Sequence, residues 1–123
     1  MNPGSDTAKL MAIGRLALGA VALLFPALAT RLFLLDVKSN PQLPYMTRLF
    51  AIREIAVGAV TLTAPENART SMVGLGMAVD GSDAIAGIAA ARSGAVSKPT
   101  GIVLTGAALA AVAGGASTFA NRR

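Results

Sequence analysis

Charged residues sit near the middle of three of the four long apolar segments in this 123-residue chain. They are Arg15, the adjacent pair Arg53 and Glu54, and the pair Asp80 and Asp83. A charge at the centre of a bilayer costs several kcal/mol, roughly 2.5–3.5 on insertion scales, so such groups face a bundle interior and pair with one another. Helices packed around a polar core meet that requirement. The composition agrees: 54% of residues are hydrophobic, 14% are charged and the mean hydropathy is +0.61. A soluble domain of this size would need far more polar surface to cover itself. A span takes about 20 mainly apolar residues, and segments 10–29, 45–64, 70–91 and 101–120 qualify. The expected fold is all-α: one integral membrane domain, a four-helix bundle with antiparallel neighbouring transmembrane helices.

Punctuation along the chain sets the boundaries, placing helices at about 8–29, 45–63, 66–92 and 99–120. Ser5 or Asp6 is the expected N-cap of the first helix, and Pro26 is expected to kink or end it. Thr30–Pro44 mixes apolar and charged residues around Asn40-Pro41 and reads as a helix tail followed by a loop. Thr63-Ala64-Pro65-Glu66 has the form of a capping box with proline in the first turn. Ser97-Lys98-Pro99 repeats the cap-and-proline signal. Leu10–Phe25 followed by Ala27-Leu28-Ala29 has the outline of a signal peptide, but Arg15 interrupts its core, so the segment is read as a retained helix.

Two further patterns stand out. A shift of 39 residues aligns Met11–Ala29 with Phe50–Ala68 at nine identities in 19, including Gly19 with Gly58 and Pro26 with Pro65. Either an Ala/Gly/Val-rich membrane composition converged, or one helix was duplicated with the copies crossing in opposite directions. Small residues also recur every four positions, at Gly74, Ala78, Ser82 and Ala86 and again at Gly106, Ala110 and Gly114. Such faces let helix backbones approach closely in lipid. They are expected to be packing seams, whether within this chain or against another subunit.

The residues that carry chemistry are few. Asp80 and Asp83 share a helix face, and Arg15, Arg48 and Arg53 are the cations expected to balance them together with Glu54. Three bases against three acids would make a neutral core. Its structural reading is a network fastening helices one to three. Its functional reading is a site where Arg holds an anionic head group or carboxylate, or where an acid carries a proton or cation. Without Cys or His, thiol, Fe–S and most haem or zinc chemistry lack ligands. No serine has a base to serve it. No catalytic residue, metal or cofactor is expected, since Arg would compete with a metal for the acids. The net charge of +5 lies mostly in loops and at the C-terminus, which suits lipid head groups. There is no basic stripe and almost no aromatic residue for nucleic acid.

With Gly14-Arg15, Pro26, and an R-x-F-x-x-R-D/E-x-x-x-G stretch from Arg48 to Gly58, the chain resembles a family of small bacterial, actinobacterial-type four-helix membrane proteins of unknown function. That family is distantly similar to DoxX-like proteins. The resemblance implies a multi-pass protein of the bacterial inner membrane. DoxX-like relatives are linked to membrane redox complexes and quinone chemistry, though this chain has no cofactor ligand of its own. The leading expectation is an accessory or structural subunit of a larger membrane complex, partnered by other subunits or by self-association. The alternative is a small binding or transport protein whose polar core holds a lipid head group, quinone or ion. A subunit of a membrane redox system comes third.

Overall fold

A computed structural model describes residues 3–120. These residues form five helices and no strand: α1 (Pro3–Leu24), α2 (Pro26–Leu32), α3 (Leu43–Thr63), α4 (Glu66–Ser93) and α5 (Lys98–Ala120). The segments expected to be long helices are helical, with one split. Proline has no N–H and its ring crowds the carbonyl four residues back, so the first helix stops at Leu24. Phe25 takes φ −130° and ψ 64°, and Pro26 opens the short α2 in the first turn, where proline is tolerated. Neither Ser5 nor Asp6 is the N-cap of α1, because the helix already begins at Pro3.

The caps follow the sequence in part. Ser97 does cap α5, its Oγ accepting from the Thr100 N–H at 3.3 Å and donating to Thr100 Oγ1 at 2.9 Å. The capping box at Thr63–Glu66 does not form. Thr63 Oγ1 donates back to the Ala59 carbonyl at 2.7 Å, and the N-cap of α4 is Pro65, which offers no side-chain hydrogen bond. Chain reversal after α2 relies on Leu34 at φ +59°. Leu35 N–H bonds the Thr30 carbonyl and Leu34 N–H the Arg31 carbonyl, the Schellman pattern that usually employs glycine. A left-handed non-glycine residue costs roughly 1–2 kcal/mol. The Leu34 carbonyl in turn accepts from the buried Thr100 Oγ1 at 2.6 Å, which ties this turn to the start of α5.

Side chains are distributed as lipid demands. The buried apolar residues are mainly Ala8, Ala12, Ala22, Ala29, Ala51, Ala84 and Ala108, whereas Leu10, Ile85 and Ile102 are each more than 70% exposed. Small residues inside and large aliphatics outside invert the soluble pattern, and fit a solvent as apolar as leucine. Gly4–Leu24, Glu66–Ser93 and Lys98–Ala120 are each long and apolar enough to cross a membrane. These three helices identify a membrane protein. α3 is of comparable length but carries Arg48, Arg53 and Glu54.

Packing is uneven. α1 lies closely on α3, and α4 on α5, while contacts between these two pairs are sparser. In the first pair a Cβ on Gly19 would meet Ile55 and the Ala51 carbonyl at 2.9 Å; one on Gly58 would meet Leu16 and the Ala12 carbonyl at 2.9 Å. Subtracting the 39-residue repeat turns Ile55 and Ala51 into Leu16 and Ala12. The two copies therefore grip each other through equivalent residues, as the halves of an isologous interface do. α1 and α3 also end at equivalent positions, Leu24 and Thr63. In the second pair Gly87 abuts Thr105, Gly101 abuts Ala91 and Gly115 abuts Met77. The buried face of α4 is Val73, Gly76, Asp80, Ala84 and Gly87.

Candidate functional site

Arg15 of α1 lies where α1, α3 and α4 meet. Its Nη1 donates to Glu54 Oε2 at 2.9 Å, to Glu54 Oε1 at 3.2 Å and to Asp80 Oδ1 at 3.1 Å; its Nη2 donates to Asp80 Oδ2. All three side chains are nearly enclosed, at 12%, 5% and 6% exposure. Close backbones make room for the guanidinium. A Cβ on Gly76 would fall 2.9 Å from Arg15 Nη2, so a larger residue there would displace it. Because Arg15 and Glu54 are repeat equivalents, 39 positions apart, this pair sits at the centre of the α1–α3 grip.

The second ion pair is looser. Arg53 Nη2 donates to Asp83 Oδ2 at 2.6 Å, with the side chains 42% and 29% exposed. The Arg53 guanidinium also lies 5.4 Å from the Phe50 ring centroid, within cation–π range. Phe50 meets Phe33 edge-on at 6.2 Å. Of the six residues expected in the polar core, five are brought together. Arg48 is not. It is exposed and donates to the Leu23 carbonyl at 3.4 Å. It lies six positions before Glu54, which at 3.6 residues per turn is about 120° around the helix. The expected neutral core is therefore revised: two guanidinium groups face three carboxylates.

Oxygens of Glu54, Asp80 and Asp83 lie within 4.8 Å of one another, close enough to share a cation. Arg15 already engages Glu54 and Asp80, and Arg53 engages Asp83.

The charged cluster floors a cavity of about 550 Å³ between the two helix pairs. Its walls are largely apolar, drawn from the later half of α1 and α4, the early half of α3 and α5, and the α2 turn. Leu18, Phe33, Met46, Phe50, Leu104 and Ala108 are among them. On the other side of Arg15 the space shrinks to a void of about 10 Å³ among Met11, Val57, Met72 and Met77. Beyond that void, buried Arg69 donates to the Thr61 carbonyl at 3.2 Å, to Ser5 Oγ at 2.7 Å and to the Ala64 carbonyl at 2.7 Å. It joins α1, α3 and α4 at that end. Sequence reasoning did not single out Arg69, whose neighbours Glu66, Asn67, Thr70 and Ser71 are all polar.

The small-residue strips are mostly not used within the chain. Ala78, Ser82, Ala86, Gly106 and Ala110 are exposed, although Ala86 also borders the cavity; Gly74 and Gly114 are half-buried. No family model, curated protein or solved structure matches this chain.

Proposed function

We propose that the chain is a multi-pass protein of the bacterial inner membrane that binds a small amphiphilic guest in the cavity between its helix pairs. In this reading α3 is the fourth span. Its 21 residues rise about 31 Å, against a hydrocarbon core of about 30 Å. Arg53 and Glu54 are matched by partners, and Arg48 near the helix end can reach the interface. Antiparallel neighbours are supported by the contact order. Along α4–α5, Gly87 meets Thr105 and Met77 meets Gly115; along α1–α3, Gly19 meets Ile55 and Leu16 meets Gly58.

One observation carries the binding reading: a cavity of about 550 Å³ with apolar walls and a charged floor. That size and lining suit a drug-sized guest. A purely structural ion network would need no such space. The DoxX-like resemblance stands as a proposal beside it, resting on Arg15 and the Arg48–Gly58 stretch.

The test is native mass spectrometry of the protein released from lipid nanodiscs. The wild-type chain should carry one small-molecule adduct per protein. Ala107→Phe, which puts a ring into the cavity from α5, should lose it while keeping its helical circular dichroism. A bare wild-type chain, or an adduct equally abundant in A107F, would remove the cavity from consideration as a binding site.

A further inference from the structure

The charge count at the cavity floor selects among guests. Among the described residues lining the cavity, the charged ones are Arg15, Arg53, Glu54, Asp80 and Asp83, a formal excess of one negative charge. The excess is localised. Arg53 and Asp83 balance each other, whereas Arg15 is shared by Glu54 and Asp80 and has both Nη atoms committed to them. Each guanidinium already has a carboxylate partner, so an anionic head group would have to compete with Glu54 and Asp80 for Arg15 or with Asp83 for Arg53. An anion would also meet carboxyl groups and guanidinium groups that are already engaged, in a low-dielectric site where an unpaired charge is most costly.

The walls point the same way. A small hard cation takes six or more oxygen ligands, and it would leave most of an apolar cavity of about 550 Å³ unfilled. An organic cation would satisfy both parts: its charge offsets the carboxylate excess while its body covers the apolar walls. The Phe50 ring already accepts a guanidinium at 5.4 Å, and Phe33 stands edge-on to it. Aromatic rings at such a position favour a cationic guest over a neutral one of the same shape.

We propose that the cavity takes a lipophilic organic cation, its charge toward Glu54, Asp80 and Asp83 and its apolar body between the α1–α3 and α4–α5 pairs. This rests on the cavity being a binding site, as argued above. The test uses three probes of similar bulk: tetraphenylphosphonium, neutral triphenylphosphine oxide and anionic tetraphenylborate. Each is titrated into the wild-type protein in zwitterionic nanodiscs, with empty discs subtracted. Tetraphenylphosphonium should bind one per chain, at least tenfold tighter than the oxide, and tetraphenylborate should show no saturable binding. Asp83→Asn should weaken tetraphenylphosphonium at least tenfold and Asp83→Glu should restore it. Asp83 is partly exposed, so these variants do not depend on removing a buried partner of Arg15. Saturable binding of the oxide or the borate as tight as that of the phosphonium, lost in A107F, would overturn the cation while the cavity reading stood. Binding of none of the three would also overturn it, and the adduct experiment would then judge the cavity separately.

Discussion

Arg69 shows how a single residue can be structurally central and invisible in sequence. It lies in the first turn of α4, where the helix dipole disfavours a cation, and it is 7% exposed. Its compensation comes from α3, whose terminal carbonyls lack partners within the helix. By donating to the Thr61 and Ala64 carbonyls and to Ser5, the guanidinium closes the end of the molecule opposite the cavity. Arg69→Gln should therefore lower the unfolding free energy by about 2–4 kcal/mol, given about 1.5–3 for a hydrogen bond to a charged group. Denaturant titration in mixed micelles measures this, and an unchanged midpoint would refute the latch. The polar-core residues were more legible. An ionisable residue in an apolar run has few ways to be accommodated, so Arg15, Glu54 and Asp80 announced themselves. Arg48 misled because counting charges ignored the helical phase that separates it from Glu54.

At the scale of elements, proline and the repeat made the architecture readable. Pro26 and Pro65 end α1 and α3 at matching positions, and proline signals mark the starts of α3 and α5. What could not be read was how each helix turns. The small-residue strip of α4 looked like the obvious seam, yet the buried face is built on Gly76, Asp80, Ala84 and Gly87. The Asp80–Arg15 bond pulls that face inward. The repeat, by contrast, acquired physical content from the reciprocal grip of Gly19 and Gly58. Gly58→Ala should cost about 1–3 kcal/mol through overpacking against α1. Gly14→Ala, with nothing within 4 Å of an added Cβ, should be neutral or gain up to about 1 kcal/mol of helix propensity. The same denaturant assay compares them, and equal effects would dissolve the claim that the grip is specific.

Taken whole, the molecule is two tight helix pairs leaning on each other across an ion cluster, with open volume on one side of it. That volume was the part of the site absent from the sequence, since a cavity depends on what neighbouring helices fail to fill. The exposed faces bear on the accessory-subunit reading, to which Ala78 and Ser82 still offer a smooth outer strip. The native chain has no cysteine, so Ser82→Cys gives a single reactive site. Bifunctional thiol crosslinking in native membranes should then join two copies if self-association uses this strip; a band that stays monomeric removes that interface. The ion cluster also has a consequence for biogenesis. Arg15 reaches the bilayer 39 residues before Glu54 and 65 before Asp80. At about 5–20 residues per second, α1 waits roughly 2–8 s for its first counter-charge. Until then it is a helix the lipid has reason to reject; with α3 as the fourth span proposed above, the nascent chain should commit to the membrane as an α1–α3 hairpin rather than one helix at a time.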